Sequence, residues 1–211
     1  MRGFAVVLSV LTLAALAGGT LLADDAPRIV YVKSFPGSSP AWVQIRLEKS
    51  GAAVYQEDPK DEDPLEFDIA PDKVSQIFAL ADKLDHFAHP LETRLKLANM
   101  GMKTFRYEDG KTPHEVKFNY SDNPDARAIN DWFEQMIDTE RAYIQLESAV
   151  RYDKLGVQDA LLQVEVVRDQ KRLVSPPQFL ALLDQVSKNE AFLHMARERA
   201  AALAEKIRAE K

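Results

Sequence analysis

The chain has 211 residues, 46% of them hydrophobic, with 33 acidic against 27 basic side chains and a formal net charge of −6. Neither half carries a basic stripe, which sets aside nucleic acid and anionic lipid as partners read from charge alone. There is no cysteine, so disulfide staples, thiol catalysis and Cys-ligated metals are excluded, and core burial must hold the fold together.

The opening stretch "MRGFAVVLSVLTLAALAGGTLLADDAP" has Arg2 as its only charge before Asp24. An apolar run from Phe4 to Ala17 is followed by small residues. This is the layout of a secretory signal peptide, read here as residues 1–23. Cleavage is expected after Ala23, with Ala17 as the other fitting site. Gly18-Gly19-Thr20 interrupts the run and no Lys or Arg follows to stop transfer, so no stable membrane span is expected after cleavage. The expected destination is the periplasm or cell exterior, and the expected partner is another envelope or secreted protein.

Residues 24–123 read as an α+β domain. "RIVYVK" is β-branched and aromatic, as strands are, and "SFPGSSP" ends it. In "AWVQIRLE", Val43, Ile45 and Leu47 alternate with Gln44, Arg46 and Glu48, the period of a half-buried strand. "AVYQE" and "LEFDI" follow as two more, giving an antiparallel meander. Pro71 then opens a helix at a position where a missing N–H costs nothing. Val74, Ile77, Phe78, Ala81 and Leu84 form its buried stripe. "LETRLKLANMG" reads as a short helical turn ending at Gly101. Asp109-Gly110 lies between two alternating arms, a hairpin signal. The expected product is one antiparallel sheet, meander plus hairpin, with an amphipathic helix packed on one face.

Residues 124–211 read as an all-helical region of three or four helices. Asn123-Pro124 caps a long helix reaching about Tyr152, with Trp132 and Phe133 on its apolar stripe. Gly156 breaks it, and a second helix covers roughly residues 157–172. "SPPQ" resembles a capping box at Ser175, and "SKNE" repeats the device at Ser187. Leu193, Ala196, Ala200, Leu203 and Ile207 form a narrow seam suited to one neighbouring helix.

Two sets of residues are candidate sites. Asp82, His86 and His89 carry metal-ligand chemistry at the end of the Pro71 helix. Their spacing departs from the two-histidine zinc helix, and Pro90 disfavours a helical His89. The second set is a binding surface: Trp42, Gln44 and Arg46 share the strand face opposite Val43 and Ile45, where an exposed aromatic marks a contact surface. No G-x-S-x-G elbow, phosphate-cradling glycine loop or calcium-loop pattern occurs, and the sequence implies no cofactor. Function therefore reads as a non-enzymatic binding or structural module of the envelope. The alternative is a metal-dependent or acid/base hydrolase using Asp82, His86 and His89.

Overall fold

In the computed structural model of the chain, the described residues are 26–210. The expected signal peptide at 1–23 lies outside them. Strands β1 (Arg28–Ser34), β2 (Trp42–Glu48), β3 (Ala52–Gln56) and β4 (Leu65–Asp68) form the meander, and β5 (Met102–Glu108) and β6 (His114–Phe118) form the hairpin. They join in one antiparallel sheet of order β4-β3-β2-β1-β5-β6. β1 is thus central, paired along its whole length with β2 and β5. The alternation read from β2 is real: Val43, Ile45 and Leu47 are buried and the residues between them are only half-buried.

The inner face is covered by α1 (Pro71–Lys83) and the first part of α2 (Pro124–Tyr152). α1 turns Val74, Ile77, Phe78 and Ala81 inward. Phe133 of α2 stacks on Tyr31 at 4.9 Å between ring centres, and Phe105 lies 5.1 Å from Tyr31 and 5.5 Å from Phe133. The Tyr31 hydroxyl donates to Glu134 at 3.0 Å, so this buried ring keeps its polar end satisfied.

α3 (Val157–Asp169) and α4 (Leu180–Lys188) pack on the second part of α2, and α5 (His194–Ala209) packs on α3 and α4, around a separate, mostly aliphatic cluster. The two clusters of buried side chains meet inside α2, between Ile137 and Ala142. A strap, residues 172–175, sews the junction. Thr139 Oγ1 donates to the Arg172 carbonyl and accepts from Val174 N. Lys73 Nζ donates to the Val174 carbonyl at 2.7 Å, and Ser175 Oγ to the Asp68 carbonyl at 2.8 Å.

The α+β expectation holds, and several local readings do not. No helical turn forms at 91–101; hydrogen bonds to the end of β6 hold that segment as a loop, as described below. Ser175 does not cap a helix, because its hydroxyl is spent on Asp68. Ser187 lies in the last turn of α4 and donates back to the Asp184 carbonyl, while α5 starts after Leu193, which is 51% exposed and off the seam. α3 stops at Asp169 because Lys171 takes a left-handed φ of 58°. Lys171 N bonds to the Arg168 carbonyl and Arg172 N to that of Val167, the paired closure usually made with glycine.

Candidate functional site

Asp82 and His86 are brought together, and His89 pairs with Asp85 instead. α1 ends at Lys83, and Asp85, His86 and Phe87 follow with φ of 49°, 51° and 67°. Such left-handed backbone is costly for three successive non-glycine residues. It is held because Phe87, fully buried, stacks on Phe105 at 4.9 Å. The reversal separates the histidines into two pairs. His86 Nε2 lies 2.8 Å from Asp82 Oδ1, with its ring 4.2 Å from that of Tyr107. His89 Nε2 lies 3.2 Å from Asp85 Oδ2. Among the described residues no group of three His, Cys, Asp or Glu side chains is arranged to hold a metal ion. His86 is accounted for by its aromatic contact and its carboxylate.

Trp42, Gln44 and Arg46 lie on the outer sheet face, opposite the face that α1 and α2 cover among the described residues. The register sorts this face into rows. Trp42 pairs with Ser34 and Ser34 with Met102. The next row runs Gln56, Gln44, Val32, Thr104 and Lys117, with Gln44 Nε2 donating to Gln56 at 2.9 Å. Lower down the face is ionic: Glu108 takes both Arg28 and Arg106. Val30 is buried there between Arg46 and Arg106 in the register, and long side chains of this kind cover apolar neighbours while their charges stay in water. The face therefore divides into a charged part, which reaches up to Lys117 in the Gln44 row, and an uncharged last row at Trp42.

That uncharged end continues into the loop before β5. Leu95, Leu97, Met100 and Met102 are 62, 44, 51 and 46% exposed. Ser34, Pro36, Leu97, Asn99, Met102 and Asn119 border a shallow hollow of about 470 Å³. The loop backbone is tied down while these side chains face outward. Thr93 N donates to the Tyr120 carbonyl, Met100 N to Asn119 Oδ1, and Asn119 Nδ2 to the Ala98 carbonyl. Lys103, buried on the inner face, donates to the carbonyls of Met100 and Asn119; its desolvation lowers its pKa. The loop thus shows three large apolar side chains, Leu95, Leu97 and Met100, on a fixed backbone, with Met102 of β5 beside them.

A larger cleft, of about 1220 Å³, lies at the junction of sheet and helices, lined by Asp68, Lys73, Tyr143, Ser175, Gln178 and Arg208 among others. Behind Gln178 sits Glu140, fully buried. Its Oε1 accepts from Gln178 Nε2 at 3.0 Å and its Oε2 has no hydrogen-bond partner among the described residues. Burial pushes its pKa up to about 8 against the opposing effect of that single hydrogen bond. The sequence held a signal for this residue that the reading above passed over: Glu140 falls four residues after Met136 and seven after Phe133, on the apolar stripe itself. The leucines of the loop were in view as residues of a helical turn, which hid their exposure.

Neither a comparison with protein-family models nor one with curated proteins finds a match for this chain. Among the described residues no helix is long and apolar enough to cross a membrane.

Proposed function

We propose that this chain is an exported, non-enzymatic binding module that presents the uncovered face of its sheet to a partner in the cell envelope or its surroundings. The observation that carries the reading is the uncharged end of that face, where the Trp42–Ser34–Met102 row adjoins the exposed Leu95, Leu97 and Met100. Export is supported by the charge and apolar layout of residues 1–23. The Asp82, His86 and His89 alternative gains no support from a turn that sends the two histidines to different carboxylates.

The test places a photo-crosslinking residue at Gln44 or Thr104 on the face, and at the exposed Gln163 of α3 as a control. Irradiation in the native envelope should give adducts from the two sheet positions and none from Gln163. No adduct at any position, or equal yields at all three, would sink the reading. N-terminal sequencing of the same material should begin at Asp24; a chain beginning at Met1 would remove the export half of it.

A further inference from the structure

The two ends of the sheet differ in charge as well as in polarity. From Ser34 to Ile45 there is no charged residue, and from Thr93 to Met102 there are only two, Arg94 and Lys96, both cations; the nearest carboxylates, Glu92 and Asp122, accept hydrogen bonds from Asn119 N and Thr93 Oγ1. The whole chain carries −6, so this end is set apart from the rest. Both cations are exposed, and neither has an ion pair among the described residues. They alternate with Leu95 and Leu97, so charge and apolar surface are interleaved along one short segment. Overall charge set anionic lipid aside in the sequence; the fold gathers a local surface that the total conceals.

We propose that the loop from Thr93 to Met102, with the neighbouring Trp42 end of the sheet, docks peripherally on an anionic lipid bilayer. Exposed leucine and methionine side chains enter the boundary between headgroups and acyl chains, Arg94 and Lys96 meet the lipid charges, and the Trp42 ring lies at headgroup depth. Asn119 and Lys103 already fix the loop backbone, so little ordering accompanies docking. The acidic loop between β3 and β4 stands at the same end of the strands, but it borders Ile144, Glu147 and Arg151 on the helical side. From β3 to β5 is three strand spacings, about 14 Å, against a screening length of about 8 Å at physiological salt. It therefore weakens the attraction without cancelling it. This proposal deepens the binding-module reading by naming the surface that the uncharged end meets.

The experiment uses the chain from Asp24 onward, which contains every residue of the fold described above, with vesicles of phosphatidylglycerol and phosphatidylethanolamine and with vesicles of phosphatidylcholine alone. Co-sedimentation should occur with the anionic vesicles and fall in 0.5 M salt, a condition chosen to collapse the screening length to about 4 Å. Arg94→Gln and Lys96→Gln should each lower the partition coefficient about five-fold. The double variant Leu95→Ser, Leu97→Ser should abolish binding with an unchanged circular dichroism spectrum, since both side chains are exposed. In a Trp132→Phe background, brominated lipid should quench the remaining Trp42 fluorescence. Failure of the wild type to sediment, or loop variants that sediment like it, overturns the proposal. Crosslinks from Gln44 and Thr104 to a protein, without vesicle binding, would overturn the bilayer and leave the binding module standing.

Discussion

The two cores of this molecule are built from different material. The sheet core is aromatic, with Phe105 in contact with Tyr31, Phe87, Phe118 and Phe133. The helical core is mostly aliphatic: Phe179 and Phe192 are its buried rings, and small residues such as Ala160, Ala196 and Ala200 are fully or almost fully buried beside Leu161, Leu183 and Leu203. Large rings reach between strands and helices that are distant in sequence. Alanines instead let helices approach closely. α2 contributes to both, through Phe133 on one side and Leu146 on the other, and so does the strap, through Val174 and Leu173. The two cores join at α2 and the strap, so a defect in the part of α2 that faces the sheet should travel, and a defect confined to α3–α5 should stay more local.

Phe133→Ala is expected to have the largest effect, a loss of about 3–5 kcal/mol typical of a deleted core ring. Urea unfolding should show it, and hydrogen exchange should report faster amides in β1 and α3 alike, because α2 itself is loosened. Leu161→Ala removes a fully buried side chain of the helical core at about 2–5 kcal/mol. Its exchange should quicken in α3, α4 and α5 and leave β1 protected. Equal deprotection of β1 in that variant would end the distinction between the two cores.

Glu140 tests the junction between them. Its folded pKa of about 8 lies above the roughly 4.3 of an unfolded glutamate. Between those values the folded chain holds a proton that the unfolded chain has released, so stability falls as pH rises. The contribution is intact below about pH 4 and lost by about pH 8. Glu140→Gln removes this slope. It should leave stability near pH 4 almost unchanged and raise it by a few kcal/mol at pH 8, an order-of-magnitude figure from the same linkage. Parallel pH–stability curves for the two proteins would show that the carboxyl is not held neutral in the fold.

The sheet was legible because its alternation is strict: Val43, Ile45 and Leu47 in β2 are buried and their neighbours are half-buried. A period of two states the two faces of a strand directly. The two α-helices with strong start signals, α1 at Pro71 and α2 at Asn123-Pro124, were legible for the same kind of local reason. The loop at 91–101 was not, because its conformation is set by Asn119, some twenty residues away, and not by its own spacing of leucines. Nor was the left-handed turn at Asp85–Phe87, where burial of one ring overrides three backbone preferences. The same turn sends His86 and His89 to different carboxylates, Asp82 and Asp85. On the outer face, parity placed Trp42, Gln44 and Arg46 together, but nothing in the strand could reveal that Met102 and Leu97 lie beside them.

The smallest effect should come from the helix that both cores share. Asn123 Oδ1 accepts from the N–H groups of Asp125 and Ala126 at 2.8 and 3.3 Å, which satisfies two donors that the first turn of α2 leaves over. Asn123→Ala should therefore cost about 1 kcal/mol. The interest lies in where that loss appears. If α2 couples the cores as a single rod, exchange should quicken slightly and equally in β1 and in α3, although the cap lies at the sheet end. If the aromatic contacts of Phe133 hold the first turns of α2 regardless of the cap, only the amides around Ala126 will respond. That outcome would place the coupling in the strap, where Lys73, Thr139 and Ser175 hold residues 172–175, and not in the continuity of the helix.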